Sequence, residues 1–185
     1  DSLTAGYGLD PETAFPAQVE AALEQRGQQV RSVNAGVSGD TSAGGLRRLD
    51  WILRQPVDIL VIALGANDAL RGQPPEVTRE NLRRIIAQAR QRYPDIRILL
   101  AGMKAPPNMG AEYRAAYDQL FVELAESEQV ALMPFLLQEV AGEPSLNLAD
   151  GIHPNIEGQK IIARNLLPHL LKLLPPDTGG SGAAP

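Results

Sequence analysis

The chain has 185 residues, 44% hydrophobic and 21% charged, which suits one soluble globular domain large enough to bury a real core. A net charge of −5 and a pI near 5.1 argue against nucleic-acid binding, which calls for a basic patch. No apolar run approaches the ~20 residues of a membrane span, and the absence of cysteine excludes disulfides, thiolate metal sites and a cysteine nucleophile together.

In chain order, residues 1–9 are small, polar and Gly-rich and read as a loop. Asp10-Pro11 and Thr13 signal a helix start, and Phe15, Val19, Ala22 and Leu23 then fall on one face at helical spacing, with Gly27 as a stop. Val30 to Val33 reads as a short strand and Asn34 to Ser42 as a Gly/Ser loop. Thr41 or Ser42 can cap a helix with the stripe Leu46, Leu49, Ile52 and Leu53, which Pro56 ends. Asp58 to Leu64 is a continuous apolar run, the pattern of a strand buried on both faces of a parallel sheet, and it runs into a polar loop, Gly65-Ala66-Asn67-Asp68.

A helix is expected from about Pro75 to Arg92, with Val77, Leu82, Ile85, Ile86 and Ala89 inward. Ile96 to Ala101 is the next buried strand, Met103 to Gly110 an irregular loop, Ala111 to Ser127 a helix and Val130 to Met133 a short strand. Residues 135–149 have no clear pattern. Asn155 can cap a last helix that docks through Ile161, Ile162, Leu166, Leu167, Leu170 and Leu171. Residues 1–174 form one domain on this reading. From Pro175 the segment PPDTGGSGAAP has too little apolar content to pack and is expected to be a disordered tail. Four alternations of strand and helix predict an α/β fold, a doubly wound α/β sandwich. Ligands there bind at the C-terminal ends of the strands, so the loops after residues 33, 64, 101 and 133 share one rim.

Chemistry concentrates at Asp150-Gly151-Ile152-His153-Pro154. Asp and His at i and i+3 around a tight bend can face each other, so that the carboxylate accepts from imidazole Nδ1–H and Nε2 is free as a base. Such a base needs a nucleophile. Of the seven serines, Ser127 ends a helix, Ser32 sits in the expected strand, Ser181 lies in the tail and Ser145 is unframed; Ser2, Ser38 and Ser42 remain. The nucleotide-binding and α/β-hydrolase-elbow alternatives fail: there is no P-loop, no Gly-x-Ser-x-Gly elbow, and Gly6-Tyr7-Gly8 has no strand before it. Two lone histidines without cysteine make a poor metal site.

Asp1-Ser2-Leu3-Thr4-Ala5-Gly6-Tyr7-Gly8, Ser38-Gly39-Asp40-Thr41-Ser42, Gly65-Ala66-Asn67-Asp68 and Asp150-Gly151-Ile152-His153-Pro154 resemble, in order and at similar spacing, the four blocks of the GDSL (SGNH) hydrolase family. LGANDALRG and MPFLLQEV are similar to its arylesterase, thioesterase I and lysophospholipase L1 branch. The resemblance implies a three-layer α/β/α sandwich with a mostly parallel, flavodoxin-like sheet. It also implies Ser2 as nucleophile, His153 as base and Asp150 as the carboxylate that orients it. Ser2 N–H, Gly39 N–H and the Asn67 side-chain amide would form the oxyanion hole, one such donor being worth roughly 3–4 kcal/mol. Gly suits position 39 because a backbone donor must come close with no Cβ in the way.

Ala66, Leu70, Met103, Pro107 and Met109, near the rim, are expected to line an acyl or aryl pocket. Asp40 and Asp68 are expected to brace loops, with Arg71 pairing to one of them, and His169 to be structural. In the family the serine follows a buried strand of about six apolar residues and a glycine. None precedes Asp1, so a gap in the sheet is expected beside the nucleophile; either the chain is a fragment of a longer protein or another segment fills the slot.

The implied activity is cofactor-free and metal-free hydrolysis of a small-molecule carboxylic ester through an acyl-enzyme: aryl or alkyl, thio- or lysophospholipid. Its rate should rise with pH as His153 loses its proton. A carbohydrate acetyl-esterase is a second enzymatic reading, and a non-catalytic binding domain or fragment is the reading from another class. Oligomeric state is unassigned. The compartment is periplasmic or extracellular if a leader was removed and cytoplasmic otherwise.

Overall fold

The computed structural model describes residues 1–175; the expected tail, apart from Pro175, lies outside the described residues. The apolar runs form strands, shorter than their sequence limits: β1 (Ile59–Ile62), β2 (Arg97–Ala101) and β3 (Ala131–Met133). They pair in the order β1-β2-β3, all parallel, with Ile59 opposite Arg97 and Leu99 opposite Ala131. Parallel neighbours need a crossover rather than a hairpin. Helices α5 (Pro75–Arg92) and α6 (Ala111–Ser127) supply the two crossovers. Central β2 is covered on both faces, with Ile98, Leu99, Leu100 and Ala101 all buried.

Further helices are α1 (Ser2–Ala5), α2 (Phe15–Glu24), α3 (Ser42–Ile52), α4 (Ala66–Leu70) and α7 (Ile156–Leu171). Helix α2 packs on α7, while α3 packs on α5 and α5 on α6; β3 touches both α6 and α7. The sheet therefore lies between two helical layers. The capping signals read from sequence act as expected: the Thr41 hydroxyl accepts from Gly44 N–H at 3.2 Å and the Asn155 side chain from Gly158 N–H at 3.0 Å. Pro75 opens α5, where a missing N–H costs nothing.

Several sequence expectations are corrected. Val30–Val33 forms no strand, and Val33 is 75% exposed. Its β-branched residues favour an extended chain, but a strand needs a partner edge, and none of the described strands runs beside it. Strand β1 is likewise paired on one side only, and its Ile59, Leu60 and Val61 are half-buried where a doubly covered strand was expected. Residues 1–9 contain the helical turn α1, and the expected loop 65–68 becomes α4. Within α5, Thr78 is inward and Val77 exposed; within α7, Leu171 is exposed and Gln159 buried. The unpatterned 135–149 stretch includes a short 3-10 turn, Pro144–Leu146.

Candidate active site

Asp150 closes its own bend. One carboxylate oxygen accepts the backbone N–H groups of Ile152 at 2.9 Å and His153 at 3.0 Å, and the other faces His153 Nδ1 at 2.7 Å. Leu148 N–H donates to the His153 carbonyl at 2.7 Å, and an antiparallel bridge joins Asn147 to Pro154. The same carboxylate therefore shapes the turn and orients the ring. These hydrogen bonds, led by that of the His153 backbone N–H and then that of its ring, hold the Asp150 carboxyl down at about 2. Because the folded value is depressed, its contribution to stability is complete above about pH 4 and is lost as pH falls through about 2.

His153 Nε2 lies 3.1 Å from Ser2 Oγ. With Nδ1–H donating to Asp150, the Nε2 lone pair is left to accept from the serine hydroxyl. Ser2 is the first residue of α1, whose start is capped by the Asp1 carboxylate accepting from Leu3 N–H at 3.0 Å. Gly6 N–H and Tyr7 N–H both donate to the Ser2 carbonyl at 3.1 Å. Ser42, one of the three serines left open by sequence, is fully buried and hydrogen-bonded to Asp68, and Ser38 is exposed on a turn.

The loop that carries Gly39 is clamped from α4 and the residue after it. Asn67 Nδ2 donates to the Asp40 carbonyl at 3.0 Å, and Arg71 donates to the Gly39 carbonyl at 2.9 Å. The Asp68 carboxyl accepts from Ser42 N–H at 2.8 Å and from its hydroxyl at 2.5 Å. Arg71 thus pairs with neither aspartate; Arg48 holds Asp40 at 2.6 Å. Tyr117 supports the strand end before α4 by donating to the Gly65 carbonyl at 2.6 Å, and burial pushes its phenol above the ordinary tyrosine value.

Glycine at 39 has a different reason from the expected one. A Cβ there would meet nothing nearer than the Arg71 guanidinium at 3.9 Å, but φ is +79°, a left-handed conformation that favours glycine. Close approach decides Gly36 instead, where a Cβ would overlap Ala5 N. That contact seats the second loop against the Ser2 turn, and Asn34 Nδ2 adds a bond to the Thr4 carbonyl at 2.8 Å.

Of the expected pocket residues, Leu70 and Pro107 are exposed, Ala66 and Met109 half-buried, and Met103 is packed in the core and offers no open surface. His169 is half-buried in the last turn of α7, where burial and then Lys172 hold its imidazole below the ordinary value. Among the described residues no cluster of acidic groups and histidine is arranged to hold a metal, and no helix is long and apolar enough to cross a membrane.

Sequence reasoning missed Gln159, which is 1% exposed on α7. Its carbonyl accepts from Phe15 N–H at 2.9 Å and its amide donates to the Leu3 carbonyl at 3.2 Å, tying the Ser2 turn and the start of α2 to the last helix. The available signal was a polar residue three positions before Ile162 on the inward face. Gln159→Leu keeps the volume but leaves both backbone groups unsatisfied. It is expected to destabilise the protein by about 2–4 kcal/mol, measured by urea denaturation, whereas Lys160→Leu on the exposed side should have little effect.

The chain is similar to known proteins in both sequence and fold. The model of the GDSL-like lipase/acylhydrolase family matches residues 1–161. The chain is 39% identical to an arylesterase of Vibrio mimicus over 94% of its own length and 86% of that protein's. It is 40% identical to the thioesterase 1/protease 1/lysophospholipase L1 of Escherichia coli K12, over 88% and 76%. The crystal structure of the psychrotrophic esterase EstA from Pseudoalteromonas sp., inhibited by monoethylphosphonate, superposes with a TM-score of 0.87 at 31% identity, covering 93% of each chain.

Proposed function

The chain belongs to the GDSL-like lipase/acylhydrolase family, and from that premise we propose that it is a serine esterase that hydrolyses carboxylic esters through an acyl-enzyme. One observation carries the reading: the continuous run from the Asp150 carboxylate through the His153 ring to Ser2 Oγ, at 2.7 and 3.1 Å.

Ser2 Oγ attacks the ester carbonyl carbon while His153 Nε2 takes its proton, since a hydroxyl is a poor nucleophile until a neighbouring base accepts it. The imidazolium that forms is stabilised by Asp150. Negative charge gathers on the former carbonyl oxygen, for which the donors are Ser2 N–H, Gly39 N–H and Asn67 Nδ2–H. Asn67 spends one amide hydrogen on the Asp40 carbonyl, which fixes the plane of the group and leaves the second to donate. Collapse expels the alcohol, phenol or thiol, protonated by His153. Water then repeats the sequence on the acyl-enzyme and releases the acid.

A rim with exposed Leu70 and half-buried Ala66 and Met109 suits an apolar acyl or aryl group, which favours aryl and alkyl esters over acetylated carbohydrate. The test is a fluorophosphonate probe followed by peptide mapping, run beside p-nitrophenyl esters of increasing chain length, an acyl-CoA and a lysophospholipid. The adduct is expected on the peptide that contains Ser2, with hydrolysis of at least one apolar ester. An adduct on another serine, or loss of hydrolysis on adding EDTA, contradicts the mechanism.

A further inference from the structure

We propose that Tyr7 is a positioning residue for the general base, its ring covering one face of the His153 imidazole and keeping Nε2 directed at Ser2. This deepens the Ser2–His153–Asp150 reading and rests on it. The two ring centroids are 4.3 Å apart with a tilt of 32°, so the rings are in direct contact, and aromatic pairs in contact attract each other beyond the area they bury. Tyr7 is also joined to the nucleophile: its backbone N–H donates to the Ser2 carbonyl at 3.1 Å. One residue therefore holds the serine turn by its main chain and the base by its side chain.

Core packing does not account for an aromatic ring here, because Tyr7 is 50% exposed. The imidazole, in contrast, needs a wall. Its two nitrogens are held by Asp150 and Ser2, but once the serine is acylated the second partner is gone. Rotation about Cβ–Cγ would then carry Nε2 away from where water must be activated. A ring lying against the imidazole face opposes that rotation, and its π-face also favours the imidazolium present in both transition states. Asp150 on Nδ1, Ser2 on Nε2 and Tyr7 on one face then hold the His153 ring. The phenol oxygen has no part in this, so phenylalanine should serve as well as tyrosine.

The experiment uses the full chain and its Tyr7→Phe and Tyr7→Leu variants. Because the protein has two histidines, the His153 ring protons are assigned in NMR spectra with a His169→Gln control. Stacking predicts an upfield ring-current displacement of those protons that persists in Tyr7→Phe and disappears in Tyr7→Leu. Steady-state kinetics on a p-nitrophenyl ester should show kcat lowered about tenfold in Tyr7→Leu, with KM nearly unchanged, full activity in Tyr7→Phe, and equal melting temperatures for all three.

Unchanged His153 resonances in Tyr7→Leu overturn the contact. A raised KM at constant kcat makes Tyr7 a wall of the substrate site and overturns the positioning role. A ring-current displacement in a protein that hydrolyses no ester leaves the contact standing and removes the catalytic reading beneath it.

Discussion

Ser2→Ala is expected to lower kcat/KM for a p-nitrophenyl ester by about 10⁴- to 10⁶-fold and to abolish fluorophosphonate labelling, while the fold persists. The separation of the two effects follows from how Ser2 is held. Its backbone carbonyl accepts from Gly6 and Tyr7 and the turn is capped by Asp1 on Leu3; neither interaction uses Oγ. The hydroxyl's hydrogen bond is the 3.1 Å contact with His153, so alanine fits the turn and removes the reacting atom alone. Losing one such bond costs about 1 kcal/mol, a fall of about 2–4 °C in melting temperature for a chain of this size. The residual rate reflects donors and binding that outlast the nucleophile. Hydrolysis within tenfold of the parent protein would mean that the attacking group is not Ser2, and no other serine hydrogen-bonds to His153 among the described residues.

The parts of this site that could be read from sequence are those made by neighbours along the chain. Asp150 and His153 are three residues apart around a bend, and local geometry alone brings the carboxylate to the ring. Asn155 as a helix cap and Thr41 as another are equally local. Ser2 is different: 151 positions separate it from His153, and residue chemistry left it level with Ser38 and Ser42 until the four blocks were taken together. Gln159 could be flagged as a polar residue on an inward face, but its partners could not be named, because it acts on segments at separations of 144 and 156; Tyr7 likewise acts on a distant segment.

The misread elements have physical causes too. Periodicity needs more than one turn to register, so α1 with four residues and α4 with five escaped it, and both carry candidate site residues at their first turn. Val30–Val33 failed in the opposite sense, since propensity was present but none of the described strands runs beside it. Arg71 was expected to seek a carboxylate and instead donates to the Gly39 carbonyl. Charge identifies what an arginine can bind, while the loop that approaches it decides what it does bind.

Asp150→Asn is expected to lower kcat by about 10⁴-fold with KM close to that of the parent protein, through loss of the base's tautomer or of its position. Asp150 uses both oxygens as acceptors, one for the Ile152 and His153 backbone N–H groups and one for Nδ1–H. Asparagine has a single acceptor. If its oxygen keeps the two backbone groups, its NH₂ faces Nδ1, which must then accept; the ring proton moves to Nε2 and points at Ser2, where a base can no longer receive one. If the amide turns over, the ring keeps its partner, but an NH₂ opposes two backbone N–H groups and the bend that carries His153 loses its closure. Either way the serine is left without a base. The pH dependence separates this from an effect on carboxylate charge. Asp150 in the parent protein is held at about 2, so it is ionised throughout pH 4–8 and any loss of activity on acidification across that range has another origin. The variant should therefore remain depressed at both pH 6 and pH 8, measured as kcat on a saturating p-nitrophenyl ester. Activity within tenfold of the parent protein at either pH would mean that Asp150 shapes the turn and does nothing for the base.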